Sequence, residues 1–221
     1  MRLVKCILLI STCLLAAPSD LVAETGGIPE KIDLFIWAGQ SNAQGWEGDA
    51  DSYPSDPASL DSQIRLNYTF IKSTRSNGWI EMQPQEGRFE SGHFGPEVTF
   101  GRKLVEAGHN PAIFKYTRGA TSIYSDWLAP GEGGYYDAMV ADLDIAIADL
   151  ESQGYTVSIR GFVWIQGESD AETPAIARNN DHTVFTSMYG LSRADAYHLA
   201  PAGLTTHGER IFEALEPLLK K

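Results

Sequence analysis

The chain has 221 residues, 43% of them hydrophobic, and a formal net charge of −12. That length suits one α/β domain with a sizeable core. The acidity speaks against nucleic acid or an anionic membrane surface as partner, because both are recognised by Lys and Arg, and it fits a protein acting on a neutral substrate.

Arg2 and Lys5 precede an apolar stretch at residues 6–17, and Ala23 before Glu24 suits a cleavage point. Residues 1–23 therefore read as a secretory signal peptide, which implies a secreted or periplasmic protein with one domain over 24–221. Both cysteines, Cys6 and Cys13, fall inside the signal, so the mature chain is expected to have no disulfide and no cysteine metal site.

Residues 32–38 are almost wholly apolar and rich in β-branched and aromatic side chains, which predicts a strand covered on both faces. The run stops in Gly39-Gln40-Ser41-Asn42. This turn chemistry puts Ser41 at the carboxyl edge of a parallel sheet, where ligands bind in open α/β folds. Taken alone, Ser41 reads first as a helix N-cap. Residues 47–93 read as a long loop with short strands near 63–68 and 78–82. Trp46, Tyr53, Tyr68 and Trp79 are candidates to wall a sugar-sized cleft in it. Phe94-Gly95-Pro96-Glu97 opens a helix that Gly108 ends. Residues 111–116 form the second strand and run into Thr117-Arg118-Gly119-Ala120-Thr121-Ser122. The pattern over 135–150 predicts a helix. Residues 159–165 form the third strand and run into Gln166-Gly167-Glu168-Ser169-Asp170. A helix at 171–178, a possible strand at 183–188, Asp195-Ala196-Tyr197-His198 and a final helix over 201–219 complete the chain. Strands alternating with helices predict a mostly parallel sheet wrapped on both faces.

Three strand ends thus deliver Ser41, Gly119 and the segment from Gln166 to Glu168 to one edge, and a fourth loop delivers Asp195 and His198. Each has a bland alternative: a turn glycine, a helix-capping acid, a surface histidine. Together they supply a hydroxyl nucleophile, an imidazole base, an orienting carboxylate and N–H donors for an oxyanion, which is what acyl transfer needs.

The four segments Gly39-Gln40-Ser41-Asn42-Ala43, Arg118-Gly119-Ala120-Thr121-Ser122, Trp164-Ile165-Gln166-Gly167-Glu168-Ser169-Asp170 and Asp195-Ala196-Tyr197-His198-Leu199 stand in the order of the SGNH hydrolase blocks. They look most like the sialate O-acetylesterase and acetylxylan esterase branch, carbohydrate esterase family six. The resemblance implies a three-layer α/β/α, flavodoxin-like fold and removal of acetyl groups from sugar hydroxyls through an acetyl-serine, with no metal and no cofactor. It makes Ser41 the nucleophile and His198 the general base. Asp195 is the acid that orients His198, and Glu168 is a competitor for that role. The N–H groups of Ser41 and Gly119 and the amide of Gln166 form the oxyanion hole. Gln40, Asn42, Arg118 and Trp46 are the expected substrate contacts, and the partner is an acetylated glycan or small acetylated sugar.

Two departures stand out. Ala120 replaces a family glycine, which matters if that position needs a positive φ. The interval from Glu168 to Asp195 is also short by about one strand–helix unit, so about four core parallel strands are expected. Two other readings stay open: an SGNH lipase or thioesterase, and an inactive carbohydrate-binding homologue.

Overall fold

The computed structural model describes residues 30–166, 184 and 186–220. Five strands form one sheet: β1 (Lys31–Gly39), β2 (Arg65–Phe70), β3 (Ile80–Glu81), β4 (Pro111–Thr117) and β5 (Thr156–Ile165), in spatial order β3-β2-β4-β1-β5. Four of them run parallel, as expected, and the two-residue β3 pairs antiparallel with β2. The described residues also form four α-helices: α1 (Ser41–Gln44), α2 (Glu97–Glu106), α3 (Tyr135–Ser152) and α4 (Pro201–Leu219). Among the described residues, no helix is long and apolar enough to cross a membrane.

The layers follow from the alternation of side chains along β1. Phe35 and Trp37 face a core shared with Val98, Phe100 and Leu104 of α2 and with Leu204, Ile211 and Phe212 of α4. Leu34, Ile36 and Ala38 face the opposite core, built with Met139, Leu143, Ala146 and Leu150 of α3. An α/β/α sandwich results, with β4 and β1 at its centre, each buried on both faces and paired on both sides. The carboxyl ends of the strands are level: Gly39 is in register with both Thr117 and Ile165. Every loop that leaves these ends therefore starts at one edge of the sheet.

Three expectations need correction. Tyr68 and Trp79 do not wall a cleft at that edge. Tyr68 is a core residue of β2. Trp79 donates its indole N–H to the carbonyl of Ala146 and lines a cavity of about 460 Å³ at the amino edge of the sheet, beside Arg65 and Asn110. The possible strand at 183–188 is a loop at its described residues, 184 and 186–188. Arg210 of α4 donates to the carbonyls of Ser187 and Tyr189, which a strand would have used in a ladder. Among the described residues no strand covers the outer side of β5, where Ile159 and Phe162 are 57% and 51% exposed. The helix expected at 171–178 lies outside the described residues.

Candidate active site

Ser41 is the first residue of α1, directly after Gln40, whose backbone N–H donates to the carbonyl of Ile165 at 3.0 Å. The Ser41 turn is thus tied to the end of β5. Gly45, at φ +85°, stops the helix after one turn, and the chain folds back so that Trp46 N–H donates to the carbonyl of Ser41 at 2.9 Å. Gly119 lies against this turn: a Cβ placed on it would sit 3.6 Å from Ser41 Cβ and 4.0 Å from the Trp46 ring. Ala120 adopts φ +56°, a left-handed conformation in which a side chain is strained and which glycine takes freely.

Asp195 and His198 share one loop. Asp195 Oδ2 is 2.7 Å from His198 Nδ1, and Asp195 Oδ1 accepts the backbone N–H groups of Tyr197 and His198 at 2.7 and 2.8 Å. The hydrogen bond from His198, then the two backbone donors, hold the Asp195 carboxyl down to about 2. An ionised carboxylate only accepts, so Nδ1 of His198 carries a proton, and in the neutral imidazole Nε2 is then the nitrogen with the lone pair.

Asn42 connects this loop to the Ser41 turn. Its Nδ2 donates to the carbonyl of Tyr197 at 3.0 Å, and its Oδ1 accepts the N–H of Leu199 at 2.9 Å. The residue after Ser41 therefore grips the backbone on both sides of His198. Asn42, one of the expected substrate contacts, is 2% exposed. Of the other expected contacts, Gln40 is 4% exposed, and Arg118 donates to the carbonyl of Ile71, joining the ends of β4 and β2. Trp46 is half-buried, with its ring 6.4 Å from that of His198. Gln166 Nε2 donates to the carbonyl of Thr121 at 2.5 Å, which spends one of the two amide hydrogens that an oxyanion would use. Glu168 lies outside the described residues.

Two residues that the sequence reading missed complete the surroundings. The Arg88 guanidinium lies 4.9 Å over the Trp46 ring and pairs with Glu47. Glu47, Asp195 and His198 each bring one ligand atom, all within 4.8 Å of one another. Both carboxylates of that set already have partners, Glu47 in Arg88 and Asp195 in His198.

A family model described as carbohydrate esterase, sialic acid-specific acetylesterase matches residues 31–197, stopping one residue before His198. No curated protein matches the chain. An X-ray structure of a protein from Arabidopsis thaliana is similar over 86% of this chain and 99% of its own, with a TM-score of 0.55 at 16% identity, which supports the fold. A carbohydrate acetylesterase from Xanthomonas citri is matched at 19% identity and a TM-score of 0.37, over 66% of this chain and 35% of its own.

Proposed function

Since the chain belongs to the carbohydrate esterase, sialic acid-specific acetylesterase family, we propose that it removes acetyl groups from sugar hydroxyls, with Ser41 as nucleophile, His198 as base and Asp195 as the acid that orients it. The observation that carries this reading is the grip of Asn42 on Tyr197 and Leu199, which makes the serine turn and the His198–Asp195 dyad one assembly.

In the first half-reaction Ser41 Oγ attacks the acetyl carbonyl and passes its proton to His198 Nε2. The oxygen of the tetrahedral intermediate is met by the N–H groups of Ser41 and Gly119. His198 then returns the proton to the departing sugar oxygen, leaving acetyl-serine. In the second half, His198 takes a proton from water as the water attacks the acetyl-serine carbonyl, then returns it to Ser41 Oγ as the acyl–oxygen bond breaks and acetate leaves. Asp195, kept ionised, stabilises the imidazolium formed in each half. Trp46 offers an aromatic face beside His198 for the sugar ring or the acetyl methyl. The reading of residues 1–23 as a signal peptide is the basis for placing this activity outside the cytoplasm.

The test uses 4-nitrophenyl acetate against the decanoate ester, with acetate release from a panel of O-acetylated sugars. Hydrolysis of acetate alone is expected. Equal hydrolysis of the decanoate would favour a lipase, and hydrolysis of neither an inactive binding protein. Ser41→Ala should remove activity while preserving the fold, since losing a triad member costs several orders of magnitude; a variant that keeps more than about a tenth of wild-type turnover would sink the assignment.

A further inference from the structure

The best-satisfied charged side chain in the core, Lys115, takes no part in the chemistry described above. It lies on β4 in register with Trp37 of β1 and is 0% exposed. Burying an ammonium is costly unless each of its donors is met. All three are met, by the carbonyl of Gln44 at 2.9 Å, by Gln85 Oε1 at 2.8 Å and by Glu97 Oε1 at 2.8 Å. Glu97 is 0% exposed as well, and the same oxygen takes Gln85 Nε2 at 2.6 Å and the backbone N–H of Gly95 at 3.0 Å. Burial pushes the Lys115 ammonium below the ordinary lysine range, and Glu97 pulls it back.

A buried ion pair is weak evidence for stability, because apolar residues of similar size often serve as well. Its placement is more informative. Helix α1 has four residues, too few to hold itself together. Its carbonyls are taken from below by two neighbours on the sheet: Trp37 Nε1 donates to Ala43 at 3.0 Å, and Lys115 donates to Gln44. Consecutive carbonyls of the helix that begins with Ser41 are thus gripped by side-by-side residues of β1 and β4.

We propose that Trp37 and Lys115 form a clamp that positions Ser41, with Glu97 and Gln85 holding the Lys115 ammonium in place. Lys115 is a positioning residue: it acts on the reaction through the Gln44 carbonyl and the helix, and it rests on the reading of Ser41 as nucleophile.

The experiment compares Glu97→Gln, which keeps the bond from Lys115 to Gln44, with the double variant Lys115→Met/Glu97→Gln, which removes that bond and leaves no unpaired charge. Amide exchange of the 40–46 segment is read by mass spectrometry, alongside kcat and KM on 4-nitrophenyl acetate and a melting curve. In the double variant the segment should exchange at least about tenfold faster than in Glu97→Gln, and kcat should fall by about a hundredfold with KM little changed. A displacement of about 1 Å at a reacting group costs that much. Equal exchange and equal kcat in the two variants would overturn the clamp. If the wild-type protein hydrolyses no ester, the proposed function fails separately and the exchange result alone decides the clamp. If the double variant does not fold, Trp37→Phe, which keeps a ring and loses the N–H, is read in the same way. Faster exchange and a lower kcat then support the clamp, and wild-type values for both overturn it.

Discussion

Both ends of the Asn42 amide meet the loop that carries His198, so this side chain fixes where His198 stands relative to Ser41. Asn42→Ala would leave the backbone of Tyr197 and Leu199 without these partners and let the loop shift relative to Ser41. A drop of about ten- to a hundredfold in kcat is expected, because small misplacements of a reacting group are costly, with KM little changed. The opposite split, a higher KM with kcat intact, would mean that Asn42 contacts the substrate after all. Steady-state kinetics on 4-nitrophenyl acetate distinguish the two. At this scale the sequence was legible where a residue's chemistry is tied to its local frame. Ser41 stands two residues past the end of an apolar strand. Asp195 stands three residues before His198, and the structure places the two 2.7 Å apart. It was not legible where the partner comes from far along the chain. Nothing near Asn42 announces Tyr197, and Arg88 meets Trp46 from within a stretch that has no periodicity.

Among the elements, β1, β4 and α3 were readable because burial on one or both faces leaves a periodic trace. The failures have local causes. Residues 186–188 belong to a run with the composition of a strand, yet Arg210 takes the carbonyls of Ser187 and Tyr189 and keeps this stretch a loop. Trp79 looks like a cleft residue until its indole is seen bonded to α3. Lys115 is the clearest case of a tertiary cause. A lysine inside an apolar run reads as an interruption, and only its contact with α1 explains it. The packing of α4 on α2 was equally hidden, because it depends on an absent side chain. A Cβ on Gly208 would lie 2.2 Å from the carbonyl oxygen of Pro96 and 3.0 Å from the N–H nitrogen of Phe100. Both are backbone atoms that cannot swing aside. Gly208→Ala should therefore separate the two helices and destabilise the fold by about 2 kcal/mol, within the range for overpacked cores. Urea unfolding measures this. An unchanged midpoint would show that the helices can move apart at no cost.

Over the whole molecule, the acidic balance and the buried histidines push stability in opposite directions as the pH falls. With a net charge of −12, protonating surface carboxylates relieves self-repulsion, an effect that salt screens. His93 and His207 act against it. His93 is 0% exposed, and burial, then the charges of Lys115 and Arg88, lower it to about 3. His207 is 2% exposed, and burial, then Arg210, lower it to about 4. Both are bases held below their ordinary value of 6.5. Between there and about pH 4 the unfolded chain binds two protons that the folded chain refuses. Stability is thus fully present above the ordinary histidine range and is lost on acidification through that window, by up to about 2 to 3 kcal/mol per pH unit if both groups contribute fully. Asp195, held down to about 2 by His198 and by the N–H groups of Tyr197 and His198, adds a loss of the same sign at lower pH. Urea midpoints measured from about pH 7 to about pH 4.5, at low and high salt, separate the two influences. The decline should persist and steepen in high salt, where the relief of surface repulsion is screened out. His93→Phe, which keeps a ring packed against Phe70, should remove about half of the slope. A midpoint that stays level or rises on acidification in high salt would mean that the histidines admit protons in the folded state, and that the core around Lys115 is wetter than its geometry implies.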